Sequence, residues 1–204
     1  MNTDTLTVND IISASLKNSM TYAEYRTLVT TLVQEKSTTG NDKSEAMAEY
    51  TQLNDKRMQR WDKTAKVSEA MKAKIENFDR KVIWLVISES WCGDAAHIMP
   101  IINKVAELND NIDYRVVLRD NNEALMNQFL TNGGKSIPKL IMIDSETNEV
   151  LNTFGPRPQV ATAMVEEFKA NNDTITEEFK TDLQRWYNTD KGQSTIEDLV
   201  SLLS

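Results

Sequence analysis

Residues 88–100 read Ser88-Glu89-Ser90-Trp91-Cys92-Gly93-Asp94-Ala95-Ala96-His97-Ile98-Met99-Pro100, and the rest of the chain is read outward from them. Cys92 is the only cysteine in 204 residues. Before it, Val82-Ile83-Trp84-Leu85-Val86-Ile87 is an unbroken apolar run of strand length, the mark of a strand buried on both faces. After it the pattern turns helical. A thiol is thus predicted at a strand-to-helix turn, where the first backbone N–H groups of the helix lack partners and the helix dipole favours an anion. A cysteine in such a place is expected to ionise more readily than a free thiol, at a pKa of roughly 3.5–7.5 against about 8.5. The thiolate is the nucleophile in exchange with a disulfide, so Cys92 is the candidate catalytic residue. Asp94 acts on it in two ways. A carboxylate suits the start of a helix, yet it opposes a second negative charge on Cys92. The sequence leaves that balance open.

Working outward, residues 80 to about 170 predict an α/β sandwich with a mixed sheet: a strand at 82–88, a helix from about 93 to 109, a strand at 114–118, a helix at 122–131 stopped by Gly133-Gly134, a strand at 139–144, a hairpin partner at 149–154, and a helix at 158–171. Residues 1–78 read as an N-terminal helical segment. Thr21-Tyr22-Ala23-Glu24 has capping-box spacing, and Tyr25, Leu28, Val29, Leu32 and Val33 follow at helical intervals. Ser37 to Asp42 breaks that helix. A second run places Met47, Tyr50, Leu53 or Asn54, Met58, Trp61 and Ala65 on one side, then drifts to Met71, Ile75 and Phe78, which predicts a kink or a third helix. Lys56, Arg57, Arg60, Lys63 and Lys66 read as a solvated basic face. Residues 172–204 read as a helical extension with Phe179, Leu183, Trp186 and Tyr187 on one face, a break at Lys191-Gly192, and a last helix from Ser194.

Four landmarks on these elements resemble the thioredoxin family. Trp91-Cys92-Gly93 matches the first half of that family's Trp-Cys-Gly-Pro-Cys site. Pro100 lies eight positions after the cysteine, Ile137-Pro138 opens a strand at the place of the family's cis-proline, and Gly155 follows the hairpin. The combination resembles poorly characterised bacterial thioredoxin-like proteins whose site reads Trp-Cys-Gly-Asp. The resemblance covers residues 79–171 and implies a thioredoxin-like α/β/α sandwich. It assigns Trp91, Gly93, Asp94 and Pro138 to shaping the site, and Trp91, Ile137 and Gly155 to a substrate surface, with the backbone at Ile137 left to pair with substrate.

The departures matter as much. Position 95 is Ala, so no second thiol can resolve a mixed disulfide from within, and position 86, where many relatives carry a buried acid, is Val86. The expected activity is therefore monothiol thiol–disulfide exchange through Cys92, with protein or small-molecule thiols and disulfides as partners and an external thiol for release. The alternative is a redox-inactive interaction module on the same fold. A glutathione-transferase-like reading is disfavoured because most of the added helices precede the domain. The same helices are candidates for capping the domain, for shaping a groove over Cys92, or for a homodimer interface.

Composition sets the outer bounds. A net charge of −8 and a pI of about 4.8 give no electrostatic gain on nucleic acid or on anionic membranes. No apolar run is long enough to span a bilayer. The opening MNTDTLTVND shows no leader pattern. One cysteine forms no internal disulfide, which points to a reducing cytoplasm. One cysteine and one histidine make no metal-ligand set, and no cofactor is expected. His97 is read as a partly exposed helix residue and Glu89 as a solubilising one. Trp84 is read as core, Trp91 as a wall of the substrate surface, and Trp61 and Trp186 as packing for the added helices.

Overall fold

The computed structural model describes residues 6–204. The reading of Met1 to Thr5, at the head of the N-terminal segment, lies outside the described residues. The sheet has five strands in the order β1-β3-β2-β4-β5: β1 (Met20–Thr21), β2 (Val82–Ser88), β3 (Ile112–Leu118), β4 (Lys139–Asp144) and β5 (Val150–Phe154). β2 and β3 run parallel, and β1, β4 and β5 each pair antiparallel to a neighbour, so the sheet is mixed as expected. The apolar run holds β2 at the centre: Trp84, Leu85, Val86 and Ile87 are all fully buried.

Helix α5 (Gly93–Ala106) makes the crossover between the parallel strands, with Cys92 as its N-cap residue. Pro100 sits inside it with no amide to donate to the turn before. Nine-residue α1 (Val8–Leu16) packs on β3 and on α6 (Glu123–Gln128). α2 (Tyr22–Gln34) starts at the predicted capping box: the Thr21 amide donates to Glu24 Oε2 at 2.7 Å and the Glu24 amide to Thr21 Oγ1 at 3.2 Å. α3 (Glu45–Thr64) lies along α5, and Arg26 ties α2 to it through Asp55 at 3.0 Å and Asp62 at 3.1 Å. The drift after Trp61 is a separate helix, α4 (Glu69–Glu76). After α7 (Gln159–Asn171) come α8 (Glu177–Asp190) and α9 (Gln193–Ser201), separated at Lys191-Gly192 by two left-handed residues. α9 is wedged among α4, α5 and α7, so the apolar faces at 25–33 and 196–203 are buried within the chain, through Tyr25, Val29, Ile196 and Leu199.

Two expectations need correction. The helix predicted at 122–131 ends at Gln128. Asn132 and Gly133 both take positive φ between the bridged pair Thr131 and Gly134, the two-residue turn that Asn-Gly favours, and this turn wins over continued helix. The buried side of α3 is also rotated from the apolar reading. Tyr50 and Leu53 are each 43% exposed, while Thr51, Asn54, Asp55, Met58 and Trp61 face inward. The reason lies at the site.

Candidate functional site

The loop from Ser88 to Trp91 is laced to the added segment by hydroxyls. The Ser90 Oγ accepts from the Thr39 amide at 3.0 Å and lies within hydrogen-bonding distance of Thr38, Thr39 and Thr51 Oγ1 at 3.2, 3.1 and 2.8 Å. The Ser90 amide donates to Thr39 Oγ1 at 2.8 Å, and Asn54 Nδ2 donates to the Ser90 carbonyl at 2.9 Å. All of these residues are buried, and a buried loop must satisfy its polar groups. That requirement selects a polar inner face for α3, which is why the hydrophobic pattern misplaced it. Gly40 allows the added loop to close in. At its φ of +79° a Cβ would stand 2.9 Å from Asp120 Oδ2 and 3.0 Å from Trp91 Nε1. Glu89 is fully buried, contrary to the solubilising role expected of it. Its Oε1 accepts the Asp120 amide at 2.9 Å, and burial raises its carboxyl pKa.

Trp91 is half-buried, with the Arg119 guanidinium 4.9 Å above its ring. Cys92 is 7% exposed, and its Sγ donates to the Ile137 carbonyl at 3.3 Å. The Ile137-Pro138 bond is cis, at the position the sequence singled out. Gly155 is needed there: with φ at +105°, a Cβ would lie 2.2 Å from the Pro138 carbonyl oxygen. The balance that the sequence left open falls against the thiolate. Burial, and then the Asp94 carboxylate, push Cys92 up to about 12, against the opposing pull of the Ala95 and Asp94 amides and Arg157.

Asp94 is held by groups the sequence did not identify. Arg157 ion-pairs with it at 2.6 Å and the Tyr187 hydroxyl donates to it at 2.9 Å. Burial still raises the Asp94 carboxyl pKa. Tyr187 stacks flat on His97, ring centroids 4.4 Å apart. His97 is buried, not partly exposed. Trp61 Nε1 donates to His97 Nδ1 at 2.9 Å, so the ring proton is on Nε2 and donates to Gln184 Oε1 at 2.6 Å. Burial lowers the His97 pKa to about 4, and the ring is neutral. Trp61 and half-buried Trp186 serve as packing, as expected, and Trp61 also fixes the histidine tautomer. Of the basic run, Lys56, Arg60, Lys63 and Lys66 are solvated, but Arg57 turns inward, its Nη1 3.7 Å from where a Gly93 Cβ would stand.

These parts enclose a groove of about 640 Å³ over Cys92. Its floor is Trp91, Cys92, Gly93 and Asp94. One wall is α3, through Met47, Tyr50 and Arg57. The other is α7 and α8 with their connection, through Val165, Ile175, Phe179 and Leu183. The Ile137 carbonyl meets the thiol, but Ile137 and Gly155, expected at the substrate surface, do not line the groove; Gly155 packs on Pro138 and delivers Arg157 two residues on. Among the described residues no cluster of three or more His, Cys, Asp or Glu side chains is placed to hold a metal ion, and no helix is long and apolar enough to cross a membrane.

A family model described as Thioredoxin (Thioredoxin_9) matches residues 40–194, a span that includes α3 and α8 as well as the sheet. No curated protein matches the chain. Among solved structures, a protein of unknown function from Pseudomonas aeruginosa aligns with a TM-score of 0.51 at 18% identity, covering 78% of this chain and 81% of its own. An HIV epitope-scaffold aligns with a TM-score of 0.56 at 19% identity, covering 90% of this chain and 98% of its own. Both are likenesses of fold.

Proposed function

Because the chain belongs to the thioredoxin family, we propose that it is a monothiol thiol–disulfide exchange protein acting through Cys92 on thiols and disulfides in a reducing, cytoplasmic setting. The observation that carries this is the placement of Sγ. It belongs to the N-cap residue of α5, at the floor of an open groove, and rests against the carbonyl that precedes cis-Pro138. In the exchange, the Cys92 thiol loses its proton and the thiolate attacks one sulfur of a disulfide. A new S–S bond forms, the old one breaks, and the departing thiolate takes up a proton. With Ala95 in place of a second cysteine, an external thiol must attack the mixed disulfide to restore Cys92.

The resting thiol is slow. At a pKa of about 12 the thiolate at pH 7 is on the order of one part in 10⁵. A more basic thiolate is intrinsically more nucleophilic, which recovers part of the loss. The two effects together favour exchange slower than that of an unperturbed thiol. This same observation favours a second reading, a groove-binding module in which Cys92 is structural. Incubation with a small disulfide at pH 8, followed by intact mass, separates the two. A Cys92 adduct that excess thiol removes, and that Cys92→Ser does not form, supports exchange. An unmodified protein after prolonged incubation overturns it in favour of the module.

A further inference from the structure

The groove has a charge preference that sets it apart from the rest of the molecule. The chain as a whole is strongly acidic, yet four cationic side chains, Arg57, Arg157, Lys169 and Lys180, face the groove against two carboxylates, Asp94 and Glu177. Both carboxylates are already engaged. Asp94 is paired with Arg157 at 2.6 Å and Glu177 with Lys180 at 2.6 Å. Arg57 has no carboxylate in ion-pairing range among the described residues. Its Nη1 donates to the Asn54 side-chain carbonyl at 3.1 Å and the rest of its guanidinium fork is open. Asp94 stands between two guanidiniums, and its single negative charge offsets one of them. What remains is a half-buried fork beside Gly93, one residue from the thiol, at the positive end of a helix dipole. A planar fork of this kind is suited to bidentate pairing with a carboxylate. The opposite wall, with Ile175, Phe179 and Leu183, offers apolar surface for the body of the same ligand.

Resting on the exchange reading above, we infer that the groove selects low-molecular-weight thiols and disulfides that carry carboxylates, with Arg57 as the residue that binds the carboxylate while Cys92 holds the sulfur. Such a thiol would also supply the resolving sulfur that the chain lacks. The reaction stays balanced: Cys92 thiolate and a mixed disulfide R′–S–S–R give Cys92–S–S–R and R′S⁻, and RS⁻ then attacks the outer sulfur to release RSSR and the Cys92 thiolate.

The test uses three small disulfides of different charge: glutathione disulfide, which is anionic, hydroxyethyl disulfide, which is neutral, and cystamine, which is cationic. Adduct formation on the full chain is followed by intact mass at low salt. The expected result is a rate with glutathione disulfide roughly tenfold above that with cystamine. That preference should shrink towards unity in Arg57→Gln and in high salt. Equal rates, a cystamine preference, or an unchanged preference in Arg57→Gln would overturn the inference. Calorimetric binding of glutathione disulfide and cystamine to Cys92→Ser keeps the two ideas apart. Preferential binding of the anion without any adduct on the native chain retains the selectivity and removes the exchange reading. Adducts without any charge preference do the reverse. Absence of both adduct and binding removes both.

Discussion

The floor and the walls of the groove follow different rules. The floor comes from the central α/β unit, where each landmark answers to backbone geometry. Gly155 clears the Pro138 carbonyl, Cys92 caps α5, and β2 is apolar because it is buried on both faces. The walls come from α3 before that unit, α8 after it and α7 at its close, and there the determining groups are polar side chains far apart in sequence. Trp61 meets His97, His97 meets Gln184, and Tyr187 and Arg157 meet Asp94. The floor provides the thiol, and the walls set its charge environment. A helix start by itself favours the thiolate. Burial, and then the Asp94 carboxylate, outweigh it here.

Changes in the floor should therefore cost stability, and changes in the walls should move protonation. The largest effect is expected for Gly155→Ala, where the added methyl meets a backbone carbonyl and φ is positive. A loss of about 4 kcal/mol in urea unfolding is expected, and a loss under 1 kcal/mol would mean the turn relaxes freely. Next is His97. Its folded pKa of about 4 lies below the ordinary value of 6.5, so between those values the unfolded chain binds the extra proton. Stability from this group is full above pH 6.5 and is lost as pH falls towards 4, by about 3 kcal/mol in all. The raised carboxyl of Asp94 works in the opposite sense, favouring the fold as pH falls. His97→Gln should flatten the slope over that window, and an unaltered slope would place its origin elsewhere. Ser90→Ala removes the centre of the hydroxyl cluster that joins wall to floor, at an expected cost of about 2 kcal/mol, read by thermal melting. The clearest effect on the thiol is expected for Asp94→Asn. With the carboxylate gone and Arg157 unpaired, the Cys92 pKa should fall. Iodoacetamide should then modify the thiol severalfold faster at pH 7, and slower modification would mean that burial alone sets the thiol.

The same division explains what could be read without coordinates. The floor was legible because its signals are local: an apolar run, a Trp-Cys-Gly triplet, a proline at a fixed distance, a glycine after a hairpin. The thioredoxin-like architecture and the extra helices were legible for the same reason, down to the Thr21–Glu24 cap. The walls were not. Nothing in the spacing of Asp94, Arg157 and Tyr187 announces that they meet, because their separation in sequence carries no periodicity. His97 and Glu89 were misread because a polar residue is usually solvated. Here each is buried with partners contributed by distant segments. The face of α3 was misplaced because apolar periodicity does not register a helix that buries hydroxyls and amides against a polar loop. The Asn132-Gly133 turn is the exception, since its dipeptide signal was present and outweighed by the Gly133-Gly134 stop.

The contact between Tyr187 and Asp94 spans 93 positions, and that between His97 and Gln184 spans 87. During synthesis a chain emerges from its N-terminus and folds as segments become available. The sheet and α5 are complete well before α8 has left the ribosome. Until α8 is made, neither Tyr187 nor Gln184 is present to meet Asp94 and His97. The C-terminal helices therefore complete the surroundings of Asp94 and His97 as well as one wall of the groove.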